Sequence, residues 1–253
     1  MPPLDLKCHP FPVVARFERV VAVSFAFPEA SLRPLVPDGL EIDTYESLGF
    51  LTVAMVWTKK LRPAGFPEFL GQDFLLAGYR VFTRLREDSG RRLRGLNIIR
   101  SETDRKRMVW AGNMLTRYNY RHVNVRVTEA GSETTVETFL GDGTRTLMLT
   151  FGQPGEGVGL PIGSPFRDWQ TARLFSGPMP FTFSPRSDGR FVVIEGSRQG
   201  WTPRPIPVKN WKVDLFQEET FRGTEPTLAN AFSVEGVNYR WAKGRIVSPE
   251  RGT

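Results

Sequence analysis

The stretch LLAGYRVFTRLREDSGRRLRGLNIIR, residues 75 to 100, decides the fold class. Residues 75 to 85 and 93 to 100 are short runs of period-two character, and EDSG between them supplies the residues that a tight turn needs. An antiparallel hairpin satisfies both halves at once. The same pattern recurs on either side: RVVAVSFAF (19 to 27) and FLTVAMVWT (50 to 58) precede it, while HVNVRVTE (122 to 129), TTVETFLG (134 to 141) and RTLMLTF (145 to 151) follow, with AGS and GDG as turns. Later strands are expected in GRFVVIEGS (189 to 197), VKNWKVDLF (208 to 216) and NAFSVEGVNYRW (230 to 241). Twenty prolines and 24 glycines punctuate the chain and leave mostly short segments between them. Helical signals are confined to EASLRPLV, opened by Pro28, and to PFRDWQTARLF, where Ser164 can cap and Pro165 suits the first helical position. Residues 108 to 115 are ambiguous, although Met108, Ala111, Gly112 and Leu115 fall at helical spacing. The expectation is a mainly β protein, an antiparallel barrel whose closure removes exposed edges and leaves a central pocket.

With 253 residues, 40% of them hydrophobic, the chain can bury a real core, and residues 1 to 253 are expected to form one domain. The net charge of +7 arises from 27 arginines and 7 lysines set among 27 acids, which describes a solvated basic surface rather than a lysine-rich arm for nucleic acid. The arginine-dense hairpin from Arg80 to Arg107 also carries Glu87, Asp88, Glu102 and Asp104, so nucleic-acid or partner binding there is only an alternative reading. The opening MPPLDLKCHPFPVVARF lacks an apolar signal core and a small-residue cleavage site, and no run approaches the roughly 18 apolar residues that span a bilayer. A cytoplasmic protein without membrane association is expected. Cys8 is the lone cysteine, which excludes an internal disulfide. His9 and His122 lie far apart and no CxxC or HExxH spacing occurs, so neither a metal nor another cofactor is expected. There is no GxSxG elbow and no Walker lysine; GDGTRT and GQPGEGVGLPIG read as turns.

Candidate site residues come from strand parity, because side chains two apart share a face and a lone cation ending an apolar face marks a cavity rim. Arg19 continues the face of Val21, Val23, Phe25 and Phe27, and Lys59 that of Leu51, Val53, Met55 and Trp57. Arg100 continues Leu96 and Ile98, and Arg121 precedes Val123, Val125 and Val127. In an up-and-down order the first three reach one rim, and Arg121 joins them if 108 to 115 is a helix. Arg19, Arg100 and Arg121 are therefore expected to hold a small anion such as a carboxylate through charge-assisted hydrogen bonds. TRYNYRHVN (116 to 124) adds Tyr120 and His122 for hydrogen bonding or proton transfer, although parity turns both away from Arg121. Desolvation on its apolar face is expected to lower the Lys59 pKa and make it a usable amine.

Three stretches together resemble the acetoacetate decarboxylase-like superfamily, in particular its branch of uncharacterised bacterial proteins grouped as a domain of unknown function. They are SLRPLVPDGLEIDTYESLGFLTVAMV (31 to 56), WAGNMLTRYNYRHVNV (110 to 125) and SPFRDWQTARLFSGPMPFTFSPRSDGRFVVIEGSRQGWTPRPIPV (164 to 208). The resemblance implies an antiparallel β-barrel or cone with a central pocket and a few short helices. Anchoring on Gly112 puts Tyr120 and Arg121 where the decarboxylases carry paired lysines, one of them the Schiff-base nucleophile. Tyr118-Asn119-Tyr120 resembles the Leu-Pro-Tyr motif of the uncharacterised branch, with Asn119 in place of proline. Lys59-Lys60 copies the lysine pair one major strand too early and does not inherit its role. The function implied is binding of a small carboxylate or oxo acid, with any lyase-type chemistry proceeding without the family's lysine. The alternative is a non-catalytic ligand-binding protein on the same fold. The expected partner is a small anionic ligand, and homo-oligomerisation is left open.

Overall fold

The computed structural model of the chain describes residues 6–155, 157–177 and 179–250. Its strands are β1 (Val13–Pro28), β2 (Leu40–Ile42), β3 (Leu48–Pro63), β4 (Gln72–Arg86), β5 (Arg92–Thr103), β6 (Tyr120–His122), β7 (Asn124–Ala130) and β8 (Glu133–Phe139). They continue with β9 (Arg145–Gly152), β10 (Phe181–Pro185), β11 (Phe191–Gln199), β12 (Arg204–Pro205), β13 (Val208–Val213), β14 (Thr227–Trp241) and β15 (Arg245–Val247). Between them lie α1 (Glu29–Leu32), α2 (Lys106–Leu115) and α3 (Trp169–Ser176). The hairpin of residues 75 to 100 is present as β4 and β5, with Val81 opposite Asn97 and Phe82 opposite Leu96.

Strands β14, β1, β3, β4, β5, β10 and β11 pair in succession and β11 pairs back to β14, which closes a ring. The sheet is mixed, a correction to the uniformly antiparallel expectation: β10 and β6 both run parallel to β5. Parallel neighbours need a long crossover, and the chain supplies one by leaving β5 through α2 and returning to it much later as β10. Strands β13, β9, β8 and β7 do not enter the ring; they form a four-stranded antiparallel sheet of their own.

That second sheet explains the dense apolar runs of β1, β3 and β4. Val21, Val23, Phe25, Leu51, Val53 and Met55 face out of the ring and pack against Val136, Leu147, Leu149 and Phe151. Val20, Ala22, Ala54 and Val56 face inward and are buried as well. Both faces of these strands are therefore withdrawn from water, the condition that turns alternation into a continuous apolar run.

Residues 108 to 115 are helical, within α2, and the Thr116 hydroxyl donates to the Gly112 carbonyl at 2.8 Å where that helix ends. Pro28 precedes α1 as expected. The later helix starts further along than Ser164 suggested. Asp168 caps α3 by accepting the Thr171 N–H at 2.7 Å, because a carboxylate is a strong partner for the donor end of a helix. Ser164 instead donates to the Ala229 carbonyl at 2.6 Å. Phe166 and Phe175, on either side of α3's first turns, stack with Phe50 and Phe82 and plug one end of the ring. No helix among the described residues is long and apolar enough to cross a membrane.

Candidate functional site

The ring encloses a cavity of about 400 Å³ that reaches from the phenylalanine plug to α2 and the segment around His9. Val20, Ala22, Ala54, Val56, Leu76 and Ile98 give it an apolar wall. Arg80, Arg198, Tyr118, Tyr120, Tyr239 and His9 bring polar atoms, joined by Arg62, Gln72 and serine and threonine side chains such as Thr52 and Thr182, and among the described residues no aspartate or glutamate lines it.

Arg80 comes from the middle of β4, on the inward face with Leu76, Gly78 and Phe82. A Cβ on Gly78 would lie 2.9 Å from Arg80 Nε and 3.0 Å from its Nη2, so only glycine lets the guanidinium fold back along its own strand. The surface that Arg80 keeps accessible faces the cavity, and the atoms around it shut it off from bulk water. Its Nε has no hydrogen-bond partner and no carboxylate pairs with it among the described residues. Burial pulls its pKa below the ordinary arginine value, with Tyr239, Tyr120 and Tyr118 opposing. A buried cation without a counter-charge is an expensive arrangement unless something anionic completes it.

Tyr120 is fastened to α2 from both sides. Its N–H donates to Asn113 Oδ1 at 2.9 Å, and Asn113 Nδ2 donates to its carbonyl at 2.8 Å. Burial pushes its phenol up to about 12, so it stays protonated and has a proton to donate at neutral pH. Burial also raises Tyr118, whose hydroxyl lies beside Thr182 without a well-formed hydrogen bond. Arg198 spreads its charge over Trp201 and Tyr239, 5.4 and 5.8 Å from the ring centres. His9 is buried with Nδ1 unpartnered; burial lowers its pKa, the Ala242 carbonyl opposing, and leaves a neutral imidazole at pH 7. A Cβ on Gly112 would collide with the Tyr120 ring. Gly112→Ala is accordingly expected to displace Tyr120 and cost about 1 to 3 kcal/mol, read as a lowered midpoint in urea unfolding.

Of the candidate site residues, Tyr120 from TRYNYRHVN reaches the cavity, and the four cations singled out by parity do not line it. Arg19 and Lys59 do share faces with Val21 and Trp57, but those faces turn outward. Arg19 lies 5.1 Å from the Phe151 ring centre and 5.9 Å from that of Trp57. Lys59 is half-buried, 3.2 Å from Asp73 and 3.7 Å from Glu18, and the Asp73 carboxylate raises its pKa, which corrects the expected depression. Arg100 leaves the face of Leu96 and Ile98 because of a bulge: Tyr79 pairs with Arg100 and Arg80 with Ile98, so Ile99 is extra and the parity of β5 reverses. Arg100 and Arg121 do converge, outside the ring, on Glu102 and Asp214. His122 faces a shallow hollow beside α2 with Lys106, Val109 and Asn113. The residues that sequence reasoning missed are Arg80, Tyr118, Tyr239, Arg198 and His9; an isolated arginine inside LLAGYRVF was the available signal for the first.

The family model described as DUF2071, uncharacterized conserved protein, matches residues 14–237. No curated protein matches the chain. Among solved structures, acetoacetate decarboxylase from Legionella pneumophila superposes with a TM-score of 0.65 at 10% identity, covering 95% of this chain and 88% of that one. The enduracididine biosynthesis enzyme MppR complexed with pyruvate gives 0.61 at 11% identity, covering 96% and 92%. An acetoacetate decarboxylase-like enzyme from Sphingomonas wittichii gives 0.59 at 12% identity, covering 98% and 97%. At these identities the likeness is one of fold.

Proposed function

This chain belongs to the DUF2071 family of uncharacterized conserved proteins, on the acetoacetate decarboxylase-like fold, and from that premise we propose that its cavity binds a small organic acid, a carboxylate or oxo acid. The observation that carries the reading is Arg80, a buried guanidinium with no acid beside it. A carboxylate accepts two N–H groups of such a fork and removes the penalty of the lone charge. Tyr120 and Tyr118, held protonated by burial, are placed to donate to its second oxygen or to a neighbouring oxo group. A fold neighbour that holds pyruvate supports an acid of this class. Mass spectrometry of small molecules released from the purified protein tests it. An organic acid retained by the wild type and lost in Arg80→Met is the expected result; retention of neutral molecules alone, unaffected by that change, would remove the reading.

Any turnover would have to use something other than an imine. No lysine lines the cavity among the described residues, and Lys59, outside it, is held protonated by Asp73. The neutral His9 imidazole is the group suited to accept a proton. Treatment with acetoacetate and borohydride is expected to trap no covalent adduct, by peptide mapping; an adduct at Lys59 that disappears in Lys59→Ala would establish amine chemistry instead. Binding without turnover fits the same geometry and remains the second reading.

A further inference from the structure

The cavity is polarised along its length. Arg80 stands near its closed end, since Phe82, the next inward residue on β4, belongs to the plug of Phe50, Phe166 and Phe175. Around the folded-back guanidinium the wall is made of Gly78, Ala54 and Ala22, which are paired across adjacent strands and leave room for a head group. From Gly78 toward the other end the inward positions are Leu76 and Phe74 on β4 and Val56 and Thr58 on β3. Apart from the Thr58 hydroxyl these offer no polar side chain. The four residue steps from Gly78 to Phe74 span about 13 Å at the rise of a β-strand.

The far end meets water, and apolar residues gather there beside Arg62 and Gln72. Trp110 and Phe11 line the cavity there while 68% and 36% exposed. The turn between β3 and β4, whose flanks Leu61, Pro63 and Gln72 line the cavity, carries Phe66, Phe69 and Leu70, each more than half exposed. Large apolar side chains held in water at the opening are a cost that a short, fully hydrated acid gives no reason to maintain.

We infer that the ligand is an amphipathic acid, with its carboxylate at Arg80 and an unbranched apolar tail lying along Val56, Leu76 and Phe74 toward the rim. This rests on the organic-acid reading and narrows it to a substrate class. The tail recovers the transfer energy of its buried methylenes, and the head group neutralises Arg80, which no acid of the wall offsets.

The test is calorimetric binding of saturated acids from butyrate to decanoate, below their micelle concentrations, beside the matching alkanols. Affinity for the acids is expected to rise about fourfold per methylene. Each acid should bind at least tenfold better than its alkanol in the wild type, and Arg80→Met should abolish that difference while keeping the chain-length slope. Val56→Phe, which narrows the passage past the head group, should end the rise at a shorter acid. Affinity that is flat with chain length, with short acids still dependent on Arg80, overturns this inference and leaves the organic-acid reading standing. Acids and alkanols rising together without any effect of Arg80→Met overturn the head-group assignment and that reading with it, and so does the absence of binding by every acid.

Discussion

Arg80→Met is expected to weaken organic-acid binding and, in the ligand-free protein, to raise the melting temperature. The two effects share one cause. A charge-assisted hydrogen bond from a partly desolvated guanidinium is worth about 1.5 to 3 kcal/mol, so its loss should raise Kd by roughly 10- to 150-fold. In the absence of ligand the same guanidinium is a liability, because it is shut away from bulk water, its Nε lacks a partner and no acid offsets it. Cavity water screens part of that penalty, and methionine keeps most of the aliphatic stem. A gain of about 2 kcal/mol is the reasonable expectation, which for a chain of this size means roughly 4 to 8 °C. Differential scanning calorimetry without ligand and titration calorimetry with it measure the two sides. A lowered melting temperature would mean that Arg80 supports the fold, and the functional reading would lose its main support. A group that impairs the empty protein and serves only the occupied one is what a binding site requires.

The fold was legible in the sequence to the extent that local chemistry dictates it. β4 and β5 follow from two alternating runs around EDSG, whereas the spacing of Met108, Ala111, Gly112 and Leu115 was compatible with α2 without deciding it. Neighbouring hairpins, however, do not say which strands share a sheet. β7, β8 and β9 have the same grammar as the ring strands, and only tertiary packing sends them to a second sheet over Val21, Phe25 and Met55. The same limitation decided the site. Parity correctly grouped Arg19 with Val21 and Lys59 with Trp57, yet an apolar face on a strand buried on both sides can look toward a cavity or toward another sheet. In Arg100 the failure was different: one extra residue, Ile99, exchanges inside and outside at the end of β5, and nothing in LRGLNIIR announces a bulge. Tyr239 and Arg198 are brought to Arg80 by the closure of β11 on β14, a contact between segments too distant in sequence for any local pattern to reveal. Tyr120 was accessible to reading because TRYNYRHVN is unusually polar for a strand entrance, and that density now has an explanation. Alternate residues serve different places: Tyr118 and Tyr120 turn into the cavity, while Arg121 turns out to Glu102.

Glu102→Ala is expected to be the most destabilising single change at this site, and to leave ligand affinity unaltered. Glu102 has no exposed surface and is saturated with donors. Arg121 Nε lies 2.9 Å from Oε1, and the hydroxyls of Tyr79, Thr138 and Thr146 lie 3.1, 3.0 and 3.0 Å from Oε2. Those hydroxyls come from both the ring and the second sheet, so this carboxylate ties together the two layers that enclose the core. Arg100 Nε adds an ion pair at 3.5 Å, and its guanidinium covers the Tyr79 ring at 4.2 Å. Removing the acid leaves Arg121 with Asp214 alone and Arg100 with Asp214 and a distant Glu218, and strands the hydroxyls, for a cost of about 3 to 5 kcal/mol and a fall of roughly 10 °C in melting temperature. Arg121→Ala should cost distinctly less in the Glu102→Ala background than in the wild type, because the partner it would orphan is already gone; this double-mutant cycle separates the pair from its surroundings. Ligand binding, measured at a temperature where all variants are folded, distinguishes this clamp from an anion site. Both arginines lie outside the ring, so neither Arg121→Ala nor Glu102→Ala should change Kd for an organic acid that Arg80→Met weakens. If Arg121→Ala weakened it equally, the anion would be held on the outer face of β5, where Arg121 meets Glu102, and the cavity would need another occupant.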